Sequence, residues 1–447
     1  DVLDDNWDYC VTQVIIQDPN GVCGTSDPTA AVEGSINTEF NVPVGQVDVI
    51  ANMNNGLTKT MTTQADGKYS FDLNVGMNHS IEPTKDMNYK NGVSTYDLVL
   101  ISQHIIGTLP LNSPYKIIAA DANNDQKVTV FDILELRKLI LGLTDDLAEN
   151  TSWRFVDASY VFPNASNPFQ PAFPEVIDIN NLTIDELNNN FVGVKIGDVS
   201  NDVVANNLIS GSVDARNFNG EVVLGVKDVD MEAGETYTVE FTASDFRNIK
   251  GYQFTVAFNA EVLSFVDVTP GLLTNLTEGN FGLTKSAEGM ILTSWNAENA
   301  SLNDGDVVFS LTFAARENAR LSDVIAINSS EIAAEAYTAV DFKNVALRFD
   351  TDNGSTVVGP AFELFQNQPN PFKSETVIGF NLPEATEATL KIFDVSGKVL
   401  KVFKGDYAQG TNYLTIDRSE LGAAAGVLYY QLETADNSAT KKMIIIE

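Results

Sequence analysis

The sequence predicts a multidomain, mainly β protein, in which serial β-sandwiches flank one small α-helical unit. Its 447 residues are too many for one hydrophobic core, so several domains are expected. Most of the chain alternates apolar and polar residues in short runs between Gly, Asn, Asp and Pro, which is typical of strands and turns. One stretch departs from this pattern, because its apolar residues recur at helical spacing and the whole stretch is repeated.

The charge balance and the lack of long apolar runs limit the classes of partner. The chain has 27 basic and 61 acidic residues, a formal net charge of −34. Such a polyanion does not bind nucleic acid by neutralising phosphates, and it suits a calcium-rich, salty environment outside the cell. No apolar run is long enough for a membrane span. No signal peptide opens the sequence, which begins within a β pattern, so we expect a mature or truncated C-terminal portion of a longer protein.

Residues 1–27 are predicted to end a β-sandwich, with a strand at Val11–Ile16 and a DPNG turn. Cys10 and Cys23 are the two cysteines of the chain. In an exported protein this pair predicts a disulfide, with two buried thiols as the alternative. The two histidines are far apart, so a Cys/His zinc site is not expected. The segment resembles the end of the immunoglobulin-like repeats of giant bacterial surface adhesins.

Residues 28–83 are predicted to form a small β-sandwich. Asp66-Gly67, ahead of the alternating run Lys68–Leu73, predicts a hairpin. The order of Gly34-Ser-Ile, Val47-Asp-Val and Gly67-Lys-Tyr-Ser-Phe resembles the carboxypeptidase regulatory-like domain, a Greek-key sandwich. The resemblance implies a structural role, and we predict no ligand site here.

Residues 84–147 contain the repeat, DMNYKNGVSTYDLVLISQHIIG and, after a spacer, DANNDQKVTVFDILELRKLILG. The two copies match in register: Asp86 with Asp121, Asn88 with Asn123, Val93 with Val128, Ser94 with Thr129, Asp97 with Asp132, and Gly107 with Gly142. The apolar residues behind each loop have helical spacing, and each closing glycine suits the position that follows a helix.

Each copy has the composition of a calcium loop that opens a helix. Calcium takes about six to eight oxygen ligands, which a loop of about twelve residues supplies from alternate positions and from an acidic side chain at its end. The predicted ligands of the second loop are Asp121, Asn123, Asp125, the Lys127 carbonyl, Thr129 (directly or through water) and Asp132. Asp132 falls in the first turn of the following helix, where its charge also suits the helix dipole.

The first loop is degraded, because Lys90 stands where Asp125 stands in the second loop. Its predicted ligands are Asp86, Asn88, a backbone carbonyl of Lys90 or Gly92, and Asp97. We therefore expect calcium to bind the second loop more tightly. A single loop of this kind is equally well explained as an acidic turn before a helix, whereas two copies in register favour calcium.

The duplicated unit resembles a dockerin, from which it departs at Lys90, and at Asn91 and Gln126, where a glycine is usual. The resemblance implies that the residues just before the last ligand help to form a partner-binding face. In this sequence those residues are Thr95 and Tyr96 in the first copy, and Val130 and Phe131 in the second. The alternative is that Tyr96 and Phe131 pack on the chain's own neighbouring domain.

Residues 148–207 are predicted to be a β-rich extension that ties two domains together. Its aromatic residues are expected to pack on neighbours: Trp153, Phe155, Tyr160 and Phe162. Asp198, Ser200 and Asp202 have the spacing of another half calcium loop, but no helical pattern follows, so this interpretation is the less favoured one.

Residues 208–358 are predicted to form one large β-sandwich. The predicted strands are Glu221–Val226, Thr236–Thr242, Gly251–Phe258, Leu263–Val268, Met290–Trp295, Val307–Ala314 and Val345–Phe349. The run GYQFTVAFNAEVLSF, with NFG at Asn280–Gly282, ILTSWN at Ile291–Asn296 and DGDVVFSLTF at Asp304–Phe313, resembles a cohesin. The resemblance implies a jelly roll that binds dockerins through an exposed sheet face, or one that serves as a spacer.

Residues 359–447 follow a Gly/Ser/Thr-rich linker and are predicted to form a sandwich with a type I′-like turn at Ser396-Gly397. Several motifs resemble the type A C-terminal sorting domain of the type IX secretion system: Pro369, Asn370, Pro371 and Phe372, then Gly397 and Lys398, the GVLYY strand, and Lys441 and Lys442. The resemblance implies export across a bacteroidete outer membrane and recognition by the translocon and the shuttle protein. The alternative is a carbohydrate-binding or immunoglobulin-like sandwich.

The sequence contains no catalytic motif of the common hydrolase, protease or nucleotide-binding classes, so we predict no enzyme. The leading hypothesis is a secreted cell-surface adhesin or stalk segment, outside the outer membrane, with a calcium-rigidified domain junction. One alternative is self-assembly through the dockerin-like and cohesin-like domains, within or between chains. Another is the non-catalytic tail of a large secreted hydrolase.

Overall fold

The computed structural model describes residues 28–54, 56–203, 205, 218–339, 341–351, 354–358, 362–365, 367, 370–373, 375–383, 385–394, 397–407, 410–422, 426–435 and 437–446. The chain is mainly β, with several sheets and a small group of helices, as the sequence predicts. The strand and the disulfide predicted within residues 1–27 (Cys10 and Cys23) and the sorting-motif residue Pro369 lie outside the described residues.

The first β-sandwich draws its strands from two separate parts of the chain. Its strands are β1 (Thr29–Asn37), β2 (Asp48–Met53), β3 (Thr58–Thr62), β4 (Lys68–Asn74), β5 (His79–Thr84), β6 (Trp153–Asp157), β7 (Ile177–Ile179) and β8 (Phe191–Lys195). They form sheets in the orders β4-β1-β8-β6 and β3-β2-β5-β7. In β4, Tyr69, Phe71 and Leu73 alternate with exposed residues, so one face of the strand fills the core between the sheets.

The described residues of the extension, 148–203 and 205, are therefore part of this sandwich and not a separate connection. β8 pairs in parallel with β1, with Ile36 beside Phe191, and β7 pairs with β5. These pairings cover strand edges whose N–H and C=O groups would otherwise lack partners. The hairpin predicted at Asp66-Gly67 is wrong, because this turn joins β3 and β4, which pair with β2 and β1 in different sheets.

Three helices lie between β5 and β6 in the chain: α1 (Thr95–Ile105), α2 (Pro114–Ala120) and α3 (Val130–Ile140). α1 and α3 are the helices of the repeat, and each begins with a capping box in which the closing aspartate of its loop accepts a hydrogen bond from the N-cap backbone. α2 occupies the segment interpreted as a spacer, where Ser113 caps a helix that begins with Pro114. We call residues 84–147 the loop-helix unit. Its apolar side chains share a core with Val156 and Val194 of the first sandwich.

The large β-sandwich contains every strand that the alternation predicts. Its strands are β9 (Phe218–Lys227), β10 (Asp230–Met231), β11 (Thr236–Ser244), β12 (Ile249–Phe258), β13 (Leu263–Pro270), β14 (Phe281–Gly282), β15 (Met290–Ala300), β16 (Val307–Ala315), β17 (Ala319–Arg320), β18 (Ile325–Asn328), β19 (Glu335–Tyr337), β20 (Phe342–Thr351) and β21 (Gly354–Val358). The main pairing order is β13-β16-β11-β9-β20-β19-β12-β15-β14. β21 falls in the segment interpreted as a linker and pairs with β20. Phe241, Phe309 and Trp295 lie in one continuous core.

The C-terminal domain is a smaller sandwich. Its elements are β22 (Glu363–Leu364), β23 (Glu375–Leu382), β24 (Thr386–Asp394), β25 (Val399–Tyr407), β26 (Gly410–Asp417), α4 (Arg418–Leu421), β27 (Gly426–Glu433) and β28 (Ser438–Ile445). The sheets have the orders β22-β23-β26 and β25-β24-β27-β28. β24 and β25 form a hairpin at the predicted place, although Ser396 in its turn lies outside the described residues. Among the helices that the structure describes, none has the length and apolar character needed to cross a membrane.

Candidate functional site

The second loop folds around its first and last carboxylates and leads directly into α3. Asp121 and Asp132 are 2% and 0% exposed. Two backbone N–H groups of the same loop donate to each carboxylate, at distances between 2.7 and 3.1 Å. The other predicted ligands lie on the more exposed side of the same loop: Asn123, Asp125, Lys127 and Thr129. The residues predicted to bind calcium therefore set the conformation of the loop.

The electrostatics of this loop would suit a divalent cation. Burial raises the pKa of Asp121 to about 6, and the charges of Asp132 and Asp125 act in the same direction. Burial also raises the pKa of Asp132. Neither Asp121 nor Asp132 forms an ion pair with a Lys or Arg of the described residues. Mutually repelling carboxylates and neighbouring carbonyl and hydroxyl oxygens form a donor set that fits calcium.

The carboxylates alone do not form a metal cluster. Within the part of the chain that the structure describes, no three His, Cys, Asp or Glu side chains come together in a way that could hold a metal ion. A calcium ion at the second loop would therefore draw on the amide oxygen of Asn123, the hydroxyl of Thr129 and the backbone carbonyl of Lys127 as well. Oxygen donors of this mixed kind are usual for calcium loops.

The first loop, from Asp86 to Asp97, is arranged differently. Asp97 is buried, and its carboxylate accepts hydrogen bonds from the N–H groups of Ser94, Val199 and Ser200, each at 2.9 Å. Asp86 lies at the exposed rim and accepts a hydrogen bond from the Ser152 N–H at 2.8 Å. One Asp97 oxygen is thus engaged by a segment from outside the loop, and the other by Ser94 within the loop.

The other predicted calcium ligands of the first loop do not make up for the engaged Asp97 oxygen. The Lys90 ammonium lies 3.8 Å from Asp145 in a surface ion pair. Asn88 and Gly92 adopt left-handed backbone conformations, with φ of 54° and 74°. A Cβ at Gly92 would lie 2.7 Å from the Cα of Val203, so this loop is packed tightly against the segment after β8. The residues of the first loop therefore fit calcium poorly.

The start of α1 lies on the face of the large sandwich that β12, β15, β19 and β20 form. The Thr95 N–H donates to Oε1 of Gln253 at 2.7 Å, and the Thr95 hydroxyl lies 2.7 Å from that of Ser294. All three side chains are buried. Paired polar groups in a buried contact make the relative position of the two surfaces specific.

Aromatic residues extend this contact. The Tyr96 ring lies 5.4 Å from that of Tyr337 and 4.8 Å from that of Phe342, measured between centroids. In the second copy of the repeat, Val130 and Phe131 are 56% and 62% exposed. Thr95 and Tyr96 of the first copy therefore contact the chain's own neighbouring domain, whereas Val130 and Phe131 of the second copy are exposed.

Two glycines let the helical unit approach the sheet closely. A Cβ at Gly251 would lie 2.9 Å from Cγ2 of Val99, and one at Gly282 would lie 2.1 Å from the carbonyl oxygen of Leu141. Arg137 of α3 donates to Oδ1 of Asn296 on β15, and burial lowers the pKa of Arg137 to about 10. Both helices of the repeat therefore contact the same region of the large sandwich.

The sorting-motif residues lie at the two opposite edges of the sheet β25-β24-β27-β28. Phe372 is buried, and its N–H donates to the Ile444 carbonyl at 2.9 Å, while Asn370 Oδ1 accepts from the Ile444 N–H. Pro371 is exposed beside them, and Lys441 and Lys442 lie on β28 opposite the two tyrosines of β27. Gly397 and Lys398 are exposed where β25 begins.

Several residues of these contacts were not singled out in the sequence. Gln253, Ser294 and Tyr337 occupy ordinary strand positions, and no local pattern distinguishes them from other sheet residues. Lys195 does carry a signal, because it interrupts the apolar run FVGVKIG. Asp198 lies shortly after Lys195. Its carboxylate accepts hydrogen bonds from N–H groups of the turn that it begins, and no helix follows this turn in the described residues before β9.

Comparison with protein-family models identifies two of these domains. Residues 222–346 match the family described as Cohesin domain. Residues 368–446 match the family described as Secretion system C-terminal sorting domain. These matches support a secreted surface protein with a cohesin-type module. We refer to the large β-sandwich as the cohesin-type domain and to residues 359–447 as the sorting domain.

Solved structures similar to the chain are also cohesins. The seventh ScaB type I cohesin from Pseudobacteroides cellulosolvens is 16% identical, covers 32% of this chain and 94% of its own, and has a TM-score of 0.22. CaCohA2 from Clostridium acetobutylicum is 17% identical, covers 32% and 92%, and has a TM-score of 0.24. A type I cohesin–dockerin complex from Clostridium thermocellum is 17% identical, covers 23% and 70%, and has a TM-score of 0.20. No curated protein matches the sequence.

Proposed function

We propose that the chain is a non-enzymatic stalk segment of a secreted cell-surface adhesin, in which the calcium-bound loop-helix unit holds two β-sandwiches in a fixed relation. The observation that carries the proposal is the buried contact between α1 and the cohesin-type domain, through Thr95, Tyr96 and their partners. A helix fixed at both of its sides prevents the joint from bending, which suits a load-bearing or spacing role.

The other side of the unit is fixed to the first sandwich. The unit shares its apolar core with Val156 and Val194, and the Met87 N–H donates to the Ser152 hydroxyl at 2.8 Å. The chain also enters the unit from β5 and leaves it to β6, two strands of that sandwich. A unit that is packed against both neighbours leaves little freedom for rotation between them.

Calcium at the second loop would stabilise this joint. The ion would be held by oxygens of the loop from Asp121 to Asp132, and it would neutralise carboxylates that otherwise repel one another. Since Asp132 also caps α3, ion binding at the loop would stabilise the helix that contacts β15 through Arg137. We accordingly place the resemblance to dockerins in a structural role within the chain.

The remaining part of the proposal concerns export of the chain. The sorting domain implies recognition by the type IX secretion machinery, and the exposed residues Pro371, Gly397 and Lys398 are the candidates for that contact. A cohesin-type module next to a sorting domain is consistent with a non-enzymatic role at the cell surface.

The test measures the shape and melting of the full chain with calcium and with a chelator. Calcium present at about a hundred times its dissociation constant stabilises the folded state by about 2.7 kcal/mol. Chelation should therefore lower the melting temperature and increase the radius of gyration in small-angle X-ray scattering, and Asp132→Asn should remove the difference between the two conditions. Identical melting and scattering in calcium and chelator would refute the calcium-stiffened joint.

Assembly between chains is a second candidate function, favoured by the contact between α1 and the cohesin-type domain. The face that the cohesin-type domain offers to its own α1 could take the same helix from another copy, in a domain-swapped arrangement. Sedimentation of the full chain at high concentration, with and without calcium, separates the two proposals. Calcium-dependent dimers that disappear in Tyr96→Ala support assembly, and a monomer at all concentrations excludes it.

A further inference from the structure

Lys195 is a buried charge with an unusual position. It is the last residue of β8, is 3% exposed and pairs across the sheet with Trp153. Its ammonium donates to the carbonyl oxygen of Tyr89 at 2.8 Å and to that of Ile196 at 3.0 Å. Tyr89 belongs to the first loop of the repeat, so this lysine reaches from the first sandwich into the degraded loop.

Carboxylates from three segments act on the ammonium over distances longer than an ion pair. Asp97 closes the first loop, Asp198 begins the turn after β8, and Asp86 opens the loop at its rim. Burial lowers the pKa of Lys195 to about 8, but the charges of Asp198, Asp97 and Asp86 favour its protonated form. A buried cation bound to carbonyl oxygens, with carboxylates at longer range, replaces solvent in the way that a bound metal ion does.

The two loops differ in which residues donate hydrogen bonds to the closing aspartate. Asp132 accepts its backbone hydrogen bonds from its own loop. The equivalent Asp97 accepts one from Ser94 in its own loop and two from Val199 and Ser200, on the segment that follows Lys195. The lysine within the second loop, Lys127, is exposed. The segment after β8 therefore donates hydrogen bonds to the first loop, and Lys195 lies directly before this segment.

We propose that the Lys195 ammonium is the resident cation of the first loop, so that the loop-helix unit takes up one calcium ion and not two. The count of one rests on the proposed calcium site at the second loop, whereas the role of Lys195 does not. Lys90, the lysine that degrades the sequence motif, takes no part in this arrangement, since its ammonium faces Asp145 at the surface. The first loop thus keeps its shape without an ion from solution.

Calorimetric titration of the full chain with calcium alone tests the number of sites. The wild-type chain should bind one equivalent, Asp132→Asn should bind none, and the equivalent substitution in the first loop, Asp97→Asn, should still bind one. Two equivalents in the wild type, with one that survives in Asp132→Asn and is lost in Asp97→Asn, would overturn the proposal.

Chemical unfolding in the presence of a chelator tests the lysine itself. Lys195→Met keeps the length of the side chain and removes the charge, so the buried carboxylates lose their cation, and the unfolding equilibrium constant should rise by about a hundredfold. The matched control, Lys90→Met, should change it by less than about threefold, because exposed ion pairs contribute little. Equal effects of the two substitutions would contradict the assignment.

The two measurements separate this inference from the proposed function. If the wild-type chain binds no calcium, the second-loop site fails, and the comparison of Lys195→Met with Lys90→Met in chelator still decides the role of Lys195. If the wild type binds one equivalent but Lys195→Met matches Lys90→Met, the calcium site stands and the resident-cation proposal fails.

Discussion

Replacing Tyr96 by alanine should weaken the contact between α1 and the cohesin-type domain. The substitution removes two aromatic contacts, to Tyr337 at 5.4 Å and to Phe342 at 4.8 Å. Each such pair contributes about 0.5–1.5 kcal/mol beyond the area that it buries. Truncation of a fully buried aromatic residue costs about 3–5 kcal/mol. Since Tyr96 is half-buried, we expect a loss of about 2–3 kcal/mol.

The repeat supplies a matched control. Phe131 occupies the position of Tyr96 in the second copy, and its side chain is 62% exposed. Phe131→Ala should therefore change stability by no more than about 0.5 kcal/mol. Both substitutions remove a large ring from the same turn of a helix, so a difference between them reports the interdomain contact and not helix propensity.

Differential scanning calorimetry and hydrogen exchange of the full chain provide the assay. Because the chain has several domains, the relevant quantity is the midpoint of the transition that includes the cohesin-type domain. Tyr96→Ala should lower this midpoint by roughly 4–12 °C, at about 2–4 °C per kcal/mol, and should speed exchange in α1 and β12. If Phe131→Ala produces the same shift, or if Tyr96→Ala produces none, the contact does not couple the two domains.

Three further substitutions test other parts of the structure. Gly282→Ala should destabilise the contact by about 1–3 kcal/mol in a urea titration, because the new Cβ would meet the Leu141 carbonyl at 2.1 Å, whereas Gly279→Ala, with its nearest neighbour at 3.5 Å, should not. Asp121→Asn should lower calcium affinity at least tenfold in a fluorescence titration with a calcium-competing dye, and unchanged affinity would count against this ligand. Burial raises the pKa of Glu375 from 4.5 to about 7, and the facing Asp417 acts in the same direction. In this pH range the folded state holds a proton that the unfolded state releases, so the stability should fall as pH rises from about 4.5 to about 7. Glu375→Gln should remove this pH dependence and increase the stability by up to about 1 kcal/mol at pH 8 in thermal melts. An unaltered pH dependence would refute this assignment.

Local patterns predicted much of the fold because they follow directly from strand and helix periodicity. The strand predicted at Gly251–Phe258 is observed at Ile249–Phe258, and the register of the repeat places Asp97 and Asp132 at the same capping position of α1 and α3. Ser113 followed by proline was also a local signal for α2, as an N-cap before a first-turn proline.

Long-range pairing accounts for what the sequence could not predict. The pairing of β1 with β8 joins Ile36 to Phe191, and no local alternation encodes which distant strand covers an edge. For the same reason the sequence does not reveal the partners of Thr95. Gln253 and Ser294 form a docking face only because β12 and β15 lie side by side. Periodicity shows which face of an element is buried, but it does not show against which element.

The placement of the helices between β5 and β6 has a mechanical consequence for a surface protein. Tension applied at the start of β1 and at the end of β8 acts on parallel neighbours, so it loads their backbone hydrogen bonds together in shear. The loop-helix unit lies in the chain between those strands, so tension along the backbone bypasses it until they separate. Extension of the full chain in an optical trap should therefore release the residues between Asn37 and Phe191 in a single late step, and an early, separate lengthening by the helices would show that the strands do not shield them.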